Sequence, residues 1–348
     1  DQAGNPDPDK IIDFVEMLEP SVGAVNLEDI SQPNCYRVLD ELRDKCNIPV
    51  WHDDAQGTAC VTLAGVINAL KLTDKNLKDV KVVLYGAGAS NTTIASFLLQ
   101  EGLPPEHLVL YDSKGALHSQ RLDLKDDPSK YKQWDLAKKT NPNHYNTIED
   151  GMSGADILIA LSTPGPNTVK PEWIKLMAEK SIVFTCANPI PEIYPYDAKA
   201  AGAYIVATGR GDFPNQINNS CGFPGILKGA LLIRAKKITD NMAIAAAHAL
   251  AEYAFERGID IDNIVPTMDE TEVFAKVAAA VAMQAVTDGV ARESYTWDEV
   301  YQKAMYDINQ ARNLCNEMME NGFISKPPLE LIQRVFKQIG RASCRERV

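Results

Sequence analysis

The sequence predicts an α/β fold: a doubly wound, mostly parallel sheet followed by a helical C-terminal portion. Three observations support this class. Continuous apolar runs at 80–85, 108–111, 157–160, 182–184 and 204–207 are typical of strands buried on both faces of a parallel sheet. Helical periodicity separates these runs. The last hundred residues before the tail show helical patterns, which places the helices after the sheet.

Length and composition exclude several classes of protein. The chain has 348 residues, 45% hydrophobic and 24% charged, as expected for a globular protein of two domains or one large α/β unit. Its 35 basic and 47 acidic residues give a net charge of −12, which disfavours binding to nucleic acid or to an anionic membrane. The longest uncharged stretch, 82–100, carries glycines and polar residues in its middle, so we predict no membrane span.

The cysteines indicate the compartment. Seven cysteines, an odd number without CxxC spacing, argue against a disulfide framework and for a reducing environment. We therefore expect a cytoplasmic protein. The sequence starts at Asp1 without methionine or a visible signal peptide, so targeting is left open.

Before residue 80 the sequence predicts two short strands that both end at acidic pairs. The predicted elements are a helix over 9–19, a strand over 21–27, a helix over 36–45, a strand over 48–51 and a helix over 56–70. The first strand ends at Glu28 and Asp29, and the second ends just before His52, Asp53 and Asp54.

Beyond residue 80, strands and helices alternate. The helix that follows the strand over 80–85 is predicted over 94–100, and a polar stretch over 118–147 reads as an insertion. Later helices are predicted over 226–236, 240–257, 270–288, 297–318 and 328–338. The Arg-rich tail, 341–348, has no helical face, and we interpret it as a frayed or non-native end.

A glycine-rich turn predicts a dinucleotide site. The turn follows a strand and opens a helix, so its first glycine permits a tight turn and its second lets the backbone approach a pyrophosphate, to which the helix N-terminus donates N–H groups. The third glycine position of this fingerprint is occupied by asparagine, which we expect to loosen the packing of helix against strand. The residues of the turn are Gly86, Ala87, Gly88, Ala89, Ser90 and Asn91.

An acidic residue at the end of the next strand predicts the cofactor. Asp112 follows the run 108–111 and lies 26 residues after Gly86. A carboxylate there can accept both ribose hydroxyls of NAD and repel the 2′-phosphate of NADP. NAD is therefore favoured, although the nearby Lys114 could serve a phosphate and leaves NADP open.

The acidic pairs predict a metal site. Residues just past the carboxyl ends of parallel strands line the ligand crevice. Converging carboxylates there suit Mg²⁺ or Mn²⁺, which prefer oxygen ligands. Spacing alone leaves turn and helix capping as the alternative.

Asparagines also follow predicted strands. Asn188 precedes a proline in a stiff turn, and the run 209–219 ends in Asn218 and Asn219. Amides on rigid loops can orient a carboxylate or a carboxamide, and Asx-turns are the alternative for each segment alone.

Together and in this order, these motifs resemble the malic enzyme family, the oxidative decarboxylating malate dehydrogenases, in its compact bacterial-type form. The resemblance covers roughly residues 10 to 325. The runs that carry it are 26–30 (NLEDI), 52–59 (HDDAQGTA), 86–88 (GAG), 112–115 (DSKG), 188–189 (NP), 212–219 (DFPNQINN) and 264–267 (IVPT).

The resemblance implies a role for each motif. The matched residues are Glu28, Asp29 and Asp54 as ligands of Mg²⁺ or Mn²⁺, Asp53 as their catalytic neighbour, the glycine turn with Asp112 and Asn218 for NAD, and Asn188 and Asn219 for the substrate malate. It implies NAD-dependent oxidative decarboxylation of malate to pyruvate and carbon dioxide, by a homodimer or homotetramer.

The resemblance also implies a domain organisation. Residues 1–30 match a remnant of an N-terminal catalytic domain, 31–325 a Rossmann-type NAD-binding domain with C-terminal helices, and 326–348 a C-terminal helix and tail. The family's catalytic Tyr and Lys, and an Arg that holds the substrate, belong to the N-terminal domain, and no segment here matches them. We therefore expect the general base and acid to lie in a missing domain, and these residues alone to be inactive.

Three other functions stay open. Malolactic conversion of malate to lactate uses the same scaffold. A non-catalytic NAD-binding fragment or subunit would need no base. An unrelated Rossmann-type amino-acid dehydrogenase would leave the pairs Glu28-Asp29 and Asp53-Asp54 unexplained.

Overall fold

The structure is a computed structural model that describes residues 7–335. Its contacts divide the chain into one compact unit that ends at Ala304 and a second that begins at Met305. This division rests on contacts alone, so the functional domains assigned above stay predictions. The proposed tail over 341–348 and the first six residues lie outside the described residues.

The strands of the described chain belong to two sheets, and they confirm the predicted fold class. The strands are β1 (Val25–Leu27), β2 (Val50–His52), β3 (Val82–Tyr85), β4 (Leu108–Asp112), β5 (Gly115–Ala116), β6 (Ile157–Ala160), β7 (Ile182–Thr185) and β8 (Ile205–Thr208). β1 and β2 form a parallel pair, and the other six form a sheet in the order β5-β4-β3-β6-β7-β8. Every pairing in the larger sheet is parallel except that of β4 with β5. β6, β7 and β8 are buried along their whole length, which explains their continuous apolar runs.

Helices precede, separate and follow the strands. They are α1 (Pro8–Leu18), α2 (Asn34–Lys45), α3 (Thr58–Thr73), α4 (Ala89–Gln100), α5 (Leu122–Lys125), α6 (Tyr131–Ala137), α7 (Ile148–Met152), α8 (Pro171–Ile174), α9 (Pro195–Ala200), α10 (Phe223–Leu232), α11 (Asp240–Arg257), α12 (Glu272–Thr287) and α13 (Trp297–Glu320). Residues 329–335 are also helical, and the rest of the helix predicted over 328–338 lies outside the described residues. Among the described residues, no helix combines the length and apolar character that crossing a bilayer requires.

Among the element boundaries that differ from the predictions, two have a clear physical reason. The strand predicted over 21–27 begins only at Val25, because Pro20 lies in a 3₁₀ turn over Glu19–Ser21. The helix predicted from residue 94 begins at Ala89. Its first turn is polar and shows no apolar periodicity in the sequence, and hydroxyl groups in this turn donate hydrogen bonds to helix carbonyls. Thr93 Oγ1, for example, donates to Ala89 O at 2.9 Å.

The strand order creates the crevice in which ligands of such sheets bind. β3 pairs with β4 on one side and with β6 on the other. The later strands are therefore added on opposite sides of β3, and its carboxyl end is the topological switch point of the sheet. The glycine turn begins there, at Gly86. The loops after β6, β7 and β8 leave the same edge of the sheet, because these strands run parallel to β3.

The small β1–β2 pair aligns the acidic residues. Its register pairs Leu27 with His52, so Glu28 and Asp53 each stand one residue past the last paired position. The sequence predicted that both acidic pairs follow strands. The parallel register adds that the two strand ends lie side by side.

The six cysteines that fall within the described residues are free thiols. Five are buried, and Cys315 is exposed.

Candidate active site

The two acidic pairs meet at the ends of β1 and β2. Asp29 has a left-handed backbone, with φ of 59°, and its N–H donates to Asp54 Oδ2 at 2.8 Å. Asn26 Nδ2 donates to Glu28 Oε2 at 3.2 Å. The bond from Asp29 to Asp54 therefore connects the two strand ends that carry this acidic cluster, whereas the Glu28 carboxylate is held from within its own segment.

Asp53 is the buried member of this cluster, with 2% of its surface exposed. It accepts hydrogen bonds from Trp51 Nε1 at 3.0 Å and from Asn219 Nδ2 at 2.7 Å. Burial raises the pKa of Asp53 to about 6, and the negative charges of Glu28 and Asp54 add to this effect against the two hydrogen bonds. Its carboxyl group can therefore exchange a proton close to neutral pH.

A five-residue π-turn, Asp53–Gly57, begins with this aspartate and connects β2 to α3. Gly57 fits only because it lacks a side chain: an added Cβ would lie 2.1 Å from Asp53 Oδ1 and 3.0 Å from Asn219 Cβ. His52 fixes the start of the turn, since its Nδ1 accepts from Ala55 N at 3.3 Å. Burial lowers the pKa of His52, which favours the neutral ring that this bond needs. Such single π-turns are frequent at functional sites.

The glycine turn has the geometry that a pyrophosphate requires. Gly86 has φ of 102°, and an added Cβ would lie 2.3 Å from the carbonyl oxygen of Leu161. At Gly88 an added Cβ would meet nothing within 4 Å, so the backbone here faces open space. Gly88 caps α4 without a side-chain hydrogen bond, which leaves helix N–H groups available to an anion. Both glycines line a cavity of about 440 Å³ that Asp112 also lines.

Asn91, at the third fingerprint position, has a role that the sequence did not indicate. We expected it to loosen the packing of α4. Its side chain is instead fully buried, and Nδ2 donates to Gly86 O at 2.8 Å and to Tyr85 O at 3.2 Å. The amide therefore binds the Gly86 carbonyl and shares the Tyr85 carbonyl with the main-chain N–H of Leu161, which donates to it at 3.0 Å.

Ser90 joins the two halves of the site. Its Oγ donates to the main-chain oxygen of Asp54 at 2.8 Å. One hydrogen bond thus connects the first turn of α4, next to the cofactor cavity, with the acidic turn.

Asp112 is held by an arginine that sequence reasoning missed. Arg121 donates from Nη2 to Asp112 Oδ2 at 2.7 Å and from Nη1 to Oδ1 at 3.1 Å. The main-chain N–H of Lys114 also donates to Oδ1, at 2.8 Å. Arg121 offsets the negative charge that was expected to repel a 2′-phosphate. Arg121 lies in the polar insertion, nine residues beyond Asp112. Its signal in the sequence is a basic residue near enough to pair with this aspartate.

The insertion also covers the glycine turn. Gln133 on α6 is 3% exposed, and its Nε2 donates to Ala87 O at 3.1 Å and to Gln32 Oε1. The predicted insertion therefore contributes to the wall of the cofactor cavity, although its polar sequence carries no recognisable motif.

The predicted asparagines gather at the ends of β7 and β8. Asn188 precedes a cis proline, and its amide lies where a Cβ on Gly209 would meet it at 3.0 Å. Asn218 Nδ2 donates to Gly209 O at 3.4 Å. The next residue, Asn219, reaches Asp53 as described above. Gly209 thus lies against both Asn188 and Asn218, and the run connects them to the acidic cluster.

Not every asparagine of this run faces the crevice. Asn215 is 6% exposed, and its amide donates to Val206 O at 3.0 Å and to Ile261 O at 2.8 Å. It fixes the loop, which leaves Asn218 and Asn219 as the ligand candidates.

Glu192, which the sequence did not single out, ties two loops of the crevice together. Its carboxylate is fully buried and accepts from Ser162 N at 2.8 Å and from Ala187 N at 3.1 Å. Burial raises the pKa of Glu192. The loop after β6 is thereby connected to the loop that carries Asn188.

The cluster carries the oxygen donors of a divalent-cation site. Across residues 7–335, no three His, Cys, Asp or Glu side chains stand together as a ready metal site. Within that range none of the four carboxylates, Glu28, Asp29, Asp53 and Asp54, forms an ion pair with a basic side chain. Their negative charge is therefore uncompensated, and their oxygens are donors that Mg²⁺ and Mn²⁺ accept. The residues fit such an ion, and the ligand assignment stays a prediction.

Comparisons with known proteins show what the chain is similar to. Residues 55–286 match the family described as malic enzyme, NAD binding domain. The chain is 43% identical over 298 residues to the bifunctional malic/malolactic enzyme of Bacillus subtilis, covering 85% of this chain and 71% of that protein. It is 40% identical over 316 residues to the NADP-dependent malic enzyme of Halomonas elongata, covering 84% and 72%. The crystal structure of Entamoeba histolytica malic enzyme superposes with a TM-score of 0.93 at 57% identity, covering 96% of this chain and 69% of that one.

Proposed function

Because this chain belongs to the malic enzyme family, we propose that it catalyses the NAD-dependent oxidative decarboxylation of malate to pyruvate and carbon dioxide with a divalent metal. The observation that carries the proposal is the hydrogen bond from Ser90 Oγ to Asp54 O, 2.8 Å long. It joins an uncompensated carboxylate cluster to a glycine turn with room for a pyrophosphate. Malate oxidation needs both halves within reach of one substrate.

Glu28, Asp29 and Asp54 would hold the metal. The Asp29 N–H donates to Asp54 Oδ2 and so fixes the orientation of that carboxylate. A divalent cation, when bound, would lower the pKa of a substrate hydroxyl and stabilise negative charge on its oxygen. The chain's own contribution is to place the three carboxylates at two neighbouring strand ends, without a basic side chain that forms an ion pair with them.

In the proposed mechanism Asp53 exchanges a proton, and Asn219 orients the substrate. The carboxylate accepts from the Asn219 amide at 2.7 Å and thereby fixes which face of that amide is turned to the substrate. Trp51 holds the other carboxylate oxygen. A pKa of about 6 lets Asp53 hold or release a proton at physiological pH.

The glycine turn and the loops after β7 and β8 would place the cofactor. Bound NAD would supply the acceptor for the hydride of the substrate carbon. The open backbone at Gly88 and the N-terminus of α4 favour the pyrophosphate there. The family resemblance assigns Asn218 to the nicotinamide and Asn188 to the substrate, and both lie against Gly209.

NAD is proposed over NADP because Asp112 ends β4 in the cofactor cavity. Arg121 weakens this preference, since it offsets the Asp112 charge and could approach a phosphate. The named relatives include an NADP-dependent enzyme, so the preference has to be measured.

Malolactic conversion is the second candidate, because the Bacillus subtilis relative is named for both activities. It would regenerate NAD within the cycle. Net release of NADH separates the two reactions.

We also propose that the protein is a cytoplasmic homodimer or homotetramer. Large apolar side chains are exposed on α1 and after α13: Phe14 is 60%, Met17 73% and Phe323 78% exposed. Apolar groups exposed to this degree favour association between copies.

The proposal is tested with the protein as its gene encodes it. Malate-dependent reduction of NAD is measured with Mn²⁺, with Mn²⁺ removed by a chelator, and after Mn²⁺ is restored. The expected result is NADH formation that stops on chelation and returns with the metal. Turnover that persists without metal would reject the assigned role of the carboxylate cluster.

A further inference from the structure

We propose that a cleft behind the acidic turn binds a short-chain carboxylic acid, and that the bound acid alters catalysis through this turn. The cleft has a volume of about 320 Å³ and lies among α2, α4, α6 and the π-turn. It shares no lining residue with the cofactor cavity. The effect on catalysis rests on the proposed function, whereas the binding does not.

Two buried donors in the lining lack acceptors. Gln56 is 2% exposed, and its Nε2 has no hydrogen-bond partner. The Nε of Arg43 is likewise buried and without a partner. A buried N–H without an acceptor is costly, and native structures nearly always satisfy it. Both groups therefore favour a ligand that presents oxygen acceptors.

The lining has three acidic and three basic side chains, and one of the basic side chains is left without an acidic partner because Asp135 pairs with a lysine outside the lining. Its acidic residues already have cationic partners: Asp40 pairs with Lys132 at 3.0 Å, Asp135 with Lys138 at 2.6 Å, and Asp240 with Arg43 at 3.0 Å. Lys139 also lines the cleft, and among residues 7–335 its ammonium group has no ion pair or hydrogen bond. One positive charge is therefore left for a ligand carboxylate.

The remaining wall is partly apolar, and it also contains the side chains of Cys35, Tyr36, Thr92, Thr93 and Ser96. Leu39, Leu99 and Leu136 face the cleft together with Ala55. This surface fits a short aliphatic chain, which phosphate lacks. The combination of buried N–H donors, an unpaired lysine and leucines points to a monocarboxylic acid of a few carbons.

The donor that would bind the acid belongs to the turn that carries Asp53. Gln56 Oε1 accepts the main-chain N–H of His52 at 3.0 Å, so its amide bridges the cleft and the first residue of the acidic run. A ligand on Gln56 Nε2 would fix this bridge. It would thereby change the freedom of Asp53, which lies in the same π-turn.

The test uses butyrate as the probe, with butyramide and inorganic phosphate as matched comparisons. Binding is followed by ligand-observed NMR, and the Gln56 side-chain amide by ¹⁵N-glutamine labelling. For a ligand this small we expect a dissociation constant on the order of 1 mM. The exposed Lys139→Glu should weaken butyrate about threefold to tenfold, and Gln56→Glu should weaken it about tenfold or more. Lys125→Glu, an exposed lysine outside the cleft, should leave binding unchanged.

The binding part of the proposal is overturned if butyrate does not saturate, if butyramide or phosphate binds as well, or if Lys139→Glu binds butyrate like wild type. Displacement of butyrate by malate or NAD would also overturn it, because the cleft would then be part of the active site. In the rate assay, butyrate should change malate oxidation by wild type at concentrations near its dissociation constant, and Lys139→Glu should need correspondingly more. Bound butyrate without any effect on the rate would overturn the coupling and leave the proposed function intact.

Discussion

Asp53 shows how one residue can link stability with proton transfer. Its pKa of about 6 in the folded chain exceeds its ordinary value of 3.8. Between these pH values the folded state binds more protons than the unfolded state, so the free energy of unfolding falls as pH rises from about 4 to 6. The loss persists at higher pH and is on the order of 3 kcal/mol for a shift of this size.

We predict that Asp53→Asn removes this loss, because an amide does not ionise. Urea unfolding in the presence of a chelator should show a smaller decline in stability between about pH 4.5 and 7 for the variant than for wild type. The exposed Asp44→Asn serves as control and should follow wild type. Parallel pH dependence of Asp53→Asn and wild type would contradict the raised pKa.

Asp54→Ala should weaken metal binding and leave nucleotide binding unchanged. The substitution removes a carboxylate of the cluster and the acceptor of the Asp29 N–H, while the glycine turn keeps its own hydrogen bonds. We expect Mn²⁺ affinity and Mn²⁺-dependent turnover to fall at least about 100-fold, above the range for residues that only support metal ligands. NAD affinity, measured by calorimetry, should stay near that of wild type. Wild-type metal dependence in this variant would show that Asp54 is not a ligand.

Asp112 and Arg121 should shift the cofactor preference in opposite directions. Asp112→Ala removes a ribose acceptor and a phosphate-repelling charge, so NAD binding should weaken by about 1–3 kcal/mol and the preference over NADP should narrow. Arg121→Met leaves the Asp112 charge uncompensated, so the preference for NAD should widen. Dissociation constants of both cofactors for both variants test this. An unchanged preference would make Lys114 the discriminating residue.

Among the elements, the glycine turn allows a test that distinguishes backbone strain from loss of contact with the pyrophosphate. Gly86→Ala places a Cβ 2.3 Å from Leu161 O at a positive φ, so it should lower stability by about 1–3 kcal/mol and abolish NAD binding. Gly88 has an extended backbone, and its Cβ meets nothing. Gly88→Ala should therefore keep stability within about 0.5 kcal/mol and still weaken NAD about tenfold or more, because the Cβ fills the space of the pyrophosphate.

Gly202→Ala is the matched control for backbone strain. Gly202 has φ of 113° and no neighbour within 4 Å of an added Cβ, so the variant should lose some stability and bind NAD normally. Normal NAD affinity in Gly88→Ala would contradict the assigned position of the pyrophosphate.

The elements that the sequence predicted well are those with a single dominant signal. The buried strands were predictable because β6, β7 and β8 have no polar face. The start of α4 was not, since its first turn is stabilised by hydroxyl and amide bonds such as that of Asn91 to Gly86 O. The same holds for the site. Motifs predicted that Asp53 and Asn219 lie in segments that follow strands. Their direct hydrogen bond spans 166 residues and depends on the tertiary fold, so the sequence did not predict it.

At the scale of the whole molecule, residues without a motif complete the site. Arg121 and Gln133 belong to an insertion whose polar composition predicts only a surface segment, and Glu192 acts through burial that composition does not reveal. The assignment of a missing base and acid, and the inactivity of these residues alone, stay predictions. The family and the doubly wound fold were predictable because several motifs occur in one order along the chain.

The central claim is that hydride passes from malate to a nicotinamide cofactor that is released in reduced form. Malate carrying deuterium at C2 tests it most directly, with Mn²⁺, NAD and the protein as its gene encodes it. The account predicts that deuterium appears in free reduced NAD, in amounts equal to the pyruvate and carbon dioxide formed. Deuterium recovered in lactate, with no accumulation of reduced cofactor, would contradict it and establish the malolactic reaction instead.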